Sequence, residues 1–222
     1  MRPRGLVIAI DGPSGAGKST AGKALATSLG YVFIDTGAMY RALALKALRA
    51  RVGLEDGEGL AALLGGTRIE LLDGGRGVRL DGEDATAAIR TREVATAASR
   101  VSTHPLVRRA MVARQRELGR LGGAVLDGRD IGTAVFPDAD VKFYVDADPR
   151  RRAQRRQREL QAAGPAPALA AIEAEIRERD LLDSTRQDSP LTLAEGAIRL
   201  DTTGLTPEEV LARMLAAIRA RG

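Results

Sequence analysis

The chain has no cysteine, no tryptophan, no asparagine and a single histidine. Without cysteine there is no disulfide, no thiolate metal site and no thiol nucleophile. Aromatic residues make up 3% of the sequence, too few to build a base-stacking platform for single-stranded nucleic acid. Without asparagine, the N-K-x-D string that reads guanine in nucleotide switches cannot be present. The one histidine, His104, precedes Pro105 in a helix-starting turn, which makes it a structural residue rather than a base. No apolar run approaches the roughly 18–20 residues needed to cross a bilayer. Met1-Arg2-Pro3-Arg4 runs straight into a strand-like segment, so no signal peptide is expected. The expected setting is the cytoplasm, with no membrane partner.

What is present is an ordinary globular composition, 44% apolar and 28% charged over 222 residues, consistent with one unit and a sizeable core. The formal net charge is +5, and nearly all the positive charge is arginine, since lysine occurs only at positions 18, 23, 46 and 142. A basic chain suits anionic partners. With stacking residues scarce, small phosphates are expected and nucleic acid is not. The arginine bias leaves open both a heat-adapted source and a GC-rich genome.

Short apolar runs at 6–10, 31–34, 124–126, 141–145 and 197–200 alternate with helical patterns such as Lys18 to Leu29 and Met39 to Arg51. Strands apolar on both faces, separated by helices, predict a parallel sheet in a three-layer α/β fold. Two stretches interrupt the rhythm. Residues 66–84 hold two short strand patterns broken by Asp73-Gly74-Gly75 and Asp81-Gly82, which predicts an antiparallel insert. Gly164-Pro165-Ala166-Pro167 separates an arginine-rich helix, about 149–162, from a charged one, about 168–183. That pairing predicts a helical hairpin with a hinge-like tip, a lid. No long apolar stripe is left unassigned, so a monomer is expected.

Gly12-Pro13-Ser14-Gly15-Ala16-Gly17-Lys18-Ser19, followed by Thr20, matches G-x-x-x-x-G-K-[ST]. It lies between a strand and a helix, where glycine lets successive N–H groups turn inward onto phosphate oxygens. The helix start adds its positive dipole end. Lys18 would bridge the β- and γ-phosphates and the Ser19 hydroxyl would ligate Mg²⁺. The string implies binding of a nucleoside triphosphate and no more than that.

Three further strings concern the acceptor. In Asp35-Thr36-Gly37-Ala38-Met39-Tyr40-Arg41, Thr36 can cap the helix that follows, and Arg41 can reach a second anion beside the loop. In Asp127-Gly128-Arg129-Asp130, Arg129 is a candidate phosphate clamp. Asp127, at a strand end, is placed like a carboxylate that orients Mg²⁺ through water. Arg179 to Arg186, and the runs Arg150-Arg151-Arg152 and Arg155-Arg156, are helical charge patterns. Beside a phosphate cradle they supply cations to close over a transferring group.

The strings IDGPSGAGKST, DTGAMYR, EVATAASRVSTHPLVR, LDGRDIGT-VFPDAD and RD-LD-TR-DSPL resemble those of bacterial cytidylate kinases, in the same order and spacing, over roughly residues 6–215. The resemblance implies a P-loop nucleoside monophosphate kinase: one three-layer unit spanning 1–222, a monophosphate-binding region at 36–110 whose antiparallel insert lies near 66–84, and a lid at 150–183. It implies transfer of the γ-phosphate of ATP to CMP or dCMP with Mg²⁺; a kinase for another small acceptor, such as UMP, AMP or shikimate, is the alternative. By that resemblance Arg41, Arg129 and Arg186 hold the monophosphate, with Thr36 near it. Asp183 and Arg179 reach the ribose, and Ser99, Arg108 and Asp130 read the cytosine edge. Arg152 and Arg156, from the lid, join Lys18 on the ATP phosphates. Cytosine offers a donor at N4 and acceptors at N3 and O2, so a carboxylate and a guanidinium suit it.

Overall fold

The computed structural model describes residues 2–75, 77–162 and 164–221. Five parallel strands form the central sheet: β1 (Val7–Asp11), β2 (Val32–Asp35), β6 (Ala124–Gly128), β7 (Val141–Asp146) and β8 (Ile198–Asp201), in the order β2-β6-β1-β7-β8. Alternation along β1 explains why it is apolar from Val7 to Ile10. Val7 and Ala9 enter one core cluster, with Ile34, Leu126, Ile131 and Phe136, while Ile8 and Ile10 enter another. The strand is buried on both faces, as a central strand under two helical layers must be. Helices α1 (Lys18–Leu29) and α8 (Pro207–Arg219) cover the second face, contributing Leu25, Val210 and Met214.

Between β2 and β6 the chain makes α2 (Thr36–Ala50), α3 (Gly57–Gly65), a small sheet of β3 (Ile69–Leu71), β4 (Val78–Leu80) and β5 (Glu83–Asp84), then α4 (Arg92–Val101) and α5 (Pro105–Gly119). These elements share a core of their own, running from Ala38 to Met111. The small sheet is antiparallel and three-stranded, one strand more than the sequence pattern suggests. Glu83–Asp84 is exposed and polar, so no apolar alternation marked it. The two-residue connection Asp81-Gly82 carries φ of 53° and 92°, the positive pair that a tight hairpin requires and that glycine adopts without strain. Helix α2 begins at Thr36 rather than Met39, because the Asp35 side chain accepts from the Ala38 N–H and caps it. The anticipated capping by Thr36 is therefore overturned: Thr36 is already helical and turns its hydroxyl elsewhere.

Between β7 and β8, α6 (Pro149–Gln161) and α7 (Leu169–Thr185) pack as a hairpin around Ala153, Ile172 and Ile176. Ala163, beside its tip, lies outside the described residues. His104 precedes α5 and its Nε2 sits 2.7 Å from the Leu54 carbonyl oxygen, a tether between loops. Among the described residues no helix is long and apolar enough to cross a membrane.

Candidate functional site

The carboxyl ends of β1, β2 and β6 open onto one solvent-accessible cleft. The chain leaves β1 through Gly12, whose φ of 145° and contact with β7 admit no side chain. A Cβ there would lie 1.9 Å from the Val145 carbonyl oxygen. The loop ends at Gly17, and α1 starts with no side-chain cap and no acidic residue in its first turn. Its first N–H groups are thus left for an anion.

Lys18 lines this cleft but does not reach into solvent. It is 6% exposed, and its Nζ donates to the Pro13 carbonyl at 2.7 Å. The loop folds back over its stem and takes up the ammonium. Burial, then the nearby Arg129 guanidinium, push Lys18 down to about 7, against the pull of Asp127 and Asp183. The Ser19 hydroxyl donates to the Asp127 carboxylate at the end of β6. Burial and the neighbouring Asp35 push Asp127 up to about 6. The Thr36 hydroxyl donates to the Asp127 carbonyl at 2.6 Å, tying α2 to the same strand end. Arg41, one turn further along α2, pairs with Asp35 at 3.0 Å.

The opposite wall comes from α7 and the segment after β6. Arg129 donates through Nε to Asp183 at 2.7 Å. Arg186 lies 3.4 Å from the other Asp183 oxygen and 3.7 Å from Asp130. Burial alone would raise the Asp183 carboxyl, but Arg129 and Arg179 together hold it below the ordinary range. Burial, with Arg129 adjacent, lowers Arg179 to about 10. Arg108, 1% exposed, reaches from α5 to donate to Asp130 at 2.5 Å and to the Ser102 carbonyl at 3.2 Å.

Six cations therefore line the cleft, namely Lys18, Arg41, Arg108, Arg129, Arg179 and Arg186, against the carboxylates of Asp35, Asp127, Asp130 and Asp183. Several of the buried polar atoms among these residues have no partner: Arg108 Nε, Arg179 Nε and Arg186 Nη2. Unpaired buried donors are costly and uncommon. Here they converge on one cleft with an excess of positive charge, which is what an anionic, polar ligand would satisfy.

Three expected residues lie apart from these. The Ser99 hydroxyl donates to the Ala95 carbonyl at 3.2 Å within α4, while Ala98 and Ser102 form that part of the lining. Arg156 pairs with Glu159 at 3.0 Å on the half-exposed side of α6. Arg152 is buried against the phosphate loop, donating to the Ser14 carbonyl at 3.0 Å and pairing with Asp180 at 2.7 Å.

Asp11, which the sequence did not announce, and Arg155, named there only within a charged run, gain a place at the site. Asp11 accepts from the Ile131 N–H at 2.8 Å and the Gly132 N–H at 2.7 Å, holding the turn that carries Arg129 and Asp130 against the phosphate loop's own strand. Burial outweighs those two donors and pushes its carboxyl up to about 6. Arg155, rather than Arg156, approaches the loop: it donates to Thr202, whose hydroxyl donates to the Ala16 carbonyl at 2.9 Å.

The chain matches the family described as Cytidylate kinase over residues 8–220. It is 50% identical to the "Cytidylate kinase" of Solibacter usitatus, with 97% of this chain and 93% of that protein covered. It is also 50% identical to the "Cytidylate kinase" of Geobacillus thermodenitrificans, with 98% of each covered. Among solved structures, an uncharacterized protein from Eubacterium ventriosum is similar at a TM-score of 0.53 and 10% identity, covering 96% of this chain and 98% of that one; this likeness concerns the fold alone.

Proposed function

The chain belongs to the cytidylate kinase family, and from that premise we propose that it transfers the γ-phosphate of ATP to CMP or dCMP, giving ADP and CDP or dCDP. The observation that carries the reading is the meeting, in one cleft, of a phosphate cradle and a second set of cations with unpaired donors. Two phosphorylated substrates brought together there would face each other end to end.

ATP enters on the Gly12–Thr20 side, with loop N–H groups and Lys18 on its phosphates and Arg152 supporting the loop through Ser14. Lys18 releases the Pro13 carbonyl to reach the phosphates. Arg41, Arg129 and Arg186 take the monophosphate, with Thr36 beside it. Asp183 and Arg179 take the ribose. Asp130, whose second oxygen is not bonded to Arg108, receives the cytosine amino group, and Arg108 faces the ring acceptors. Uracil would set its O4 against that carboxylate, a repulsive contact.

No general base is required. The attacking CMP oxygen is already anionic, so the protein's contribution is to align the two phosphates and balance their charge. Ser19 and Asp127 offer hard oxygen donors in mutual contact at the end of the cradle, a pair suited to Mg²⁺, which binds through one or two protein oxygens together with substrate phosphates. When bound there, Mg²⁺ would supply positive charge to the phosphate oxygens. The protein acts as a monomer in the cytoplasm on this reading.

Coupled ADP-release assays with AMP, CMP, UMP and GMP test it. Turnover should be greatest with CMP. Equal rates with all four acceptors, or none with CMP, would overturn it.

A further inference from the structure

Among the described residues, the buried polar atoms left without a partner include one more that faces the cleft, the Tyr40 hydroxyl. The three guanidinium nitrogens beside it already have a ligand on the reading above. This one does not.

Tyr40 sits one turn after Thr36 on α2, so the two side chains leave the same helix face. Its ring belongs to the apolar core shared with Ala98, Val101 and Val107, and it is 9% exposed. The Arg108 guanidinium carbon lies 5.9 Å from the ring centroid, within cation–π range. The charged groups around the hydroxyl are Arg108, Asp130, Arg186 and Asp188. Its surroundings are therefore those of the base-reading pair, not of the phosphate cradle. A phenylalanine would fill the same core space without burying an unpaired hydroxyl. In the ligand-free fold the oxygen contributes nothing that the ring does not.

We propose that Tyr40 is a further substrate-binding residue, its hydroxyl donating a hydrogen bond to a ring acceptor of the pyrimidine held at the Asp130–Arg108 end of the cleft. The inference rests on the reading of that cleft as the CMP site. Cytosine and uracil share O2, so this contact strengthens binding of either pyrimidine and leaves discrimination between them to Asp130. It also fixes the ring from the α2 side.

The test is Tyr40→Phe. KM for CMP should rise about 5–10-fold, the loss of one neutral hydrogen bond, with kcat moving less than KM and KM for ATP unchanged. The ratio of kcat/KM for CMP to that for UMP should hold. The thermal midpoint should stay level or rise, because an unpaired buried hydroxyl has been removed. An unchanged KM for CMP in a folded variant overturns the proposal. So does a rise in both KM values with a fallen midpoint, which would mark a structural tyrosine. If the unaltered protein fails to phosphorylate CMP, the reading of the cleft falls and this proposal with it; an active parent with an indifferent variant sinks the proposal alone.

Discussion

The ammonium of Lys18 is tied to the Pro13 carbonyl and shielded from water, so it meets a phosphate only by exchanging one oxygen partner for another. That exchange involves no transfer from bulk solvent, which keeps its cost low and its gain electrostatic. Lys18→Ala should cost on the order of 10²-fold in kcat, about 3 kcal/mol, with a near-native thermal midpoint. Steady-state rates and a melting curve on the same preparation settle it, and near-normal turnover would remove Lys18 from the phosphate cradle. Base choice is expected to reside in Asp130. In Asp130→Asn the amide can donate to uracil O4, so the CMP:UMP ratio of kcat/KM should fall roughly 10–100-fold. An amide still accepts from Arg108 but gives it no counter-charge, so this variant should also melt earlier than its parent, as one expects when a buried pair loses a charge. A ratio that stays put while both rates drop would make Asp130 a phosphate-site residue. The phosphate loop was legible in the sequence because a contiguous string fixes its own geometry. Asp11 and Tyr40 were not, since what each faces is supplied by a distant segment: Ile131 and Gly132 for the first, Arg108 for the second. The capping role open to Thr36 fell to Asp35 for a related reason. Ser, Thr and Asp all cap helices, and with Asp35 and Thr36 adjacent only the fold decides which one turns inward.

At the scale of elements, the hairpin α6–α7 is held at its base by buried ion pairs. Arg152 joins Asp180 and the phosphate loop, and Asp183 is locked between Arg129 and Arg186. The apolar cluster between the two helices is small, Ala153, Ile172 and Ile176 with Leu160 and Leu169 beside them. The ion pair of Arg92 with Glu175 spans from α4 to α7, but both partners are about half exposed; such a pair is worth roughly 0–1 kcal/mol and breaks easily. Hydrogen exchange over residues 149–183 should therefore slow when ATP and CMP analogues are both bound, most of all between 157 and 172 and least near Asp183. Equal exchange with and without ligands would make the hairpin a fixed element. The hairpin itself was legible, because Gly164-Pro165-Ala166-Pro167 cannot continue a helix. The third strand of the small sheet was not, because a two-residue exposed pair is stabilised by its neighbours' hydrogen bonds alone.

For the molecule as a whole, the region between β2 and β6 and the hairpin α6–α7 are both interpolations in the sheet. Everything between β2 and β6 leaves from one strand and returns to its neighbour, and so does the hairpin between β7 and β8. The order of strands followed from the alternation of apolar runs and helices only as far as "parallel"; that β1 would sit at the centre depends on crossovers that local pattern does not encode. The pairing of β7 with β8, Phe143 opposite Ile198 through Asp146 opposite Asp201, together with α8 lying on α1, holds the last segment in place by contacts rather than by the peptide bonds of the hairpin. A protease that nicks the chain within 164–167 should accordingly yield two fragments that migrate together under native conditions and part in denaturant. Fragments that separate at once would contradict this. The nicked protein should still bind ATP through its intact loop, with phosphoryl transfer impaired because the severed tip can no longer close as one body. If both outcomes hold, continuity of the backbone at the tip is needed for turnover and not for the fold: the chain could be opened there, and its ends rejoined elsewhere, without disturbing the sheet that carries the phosphate loop.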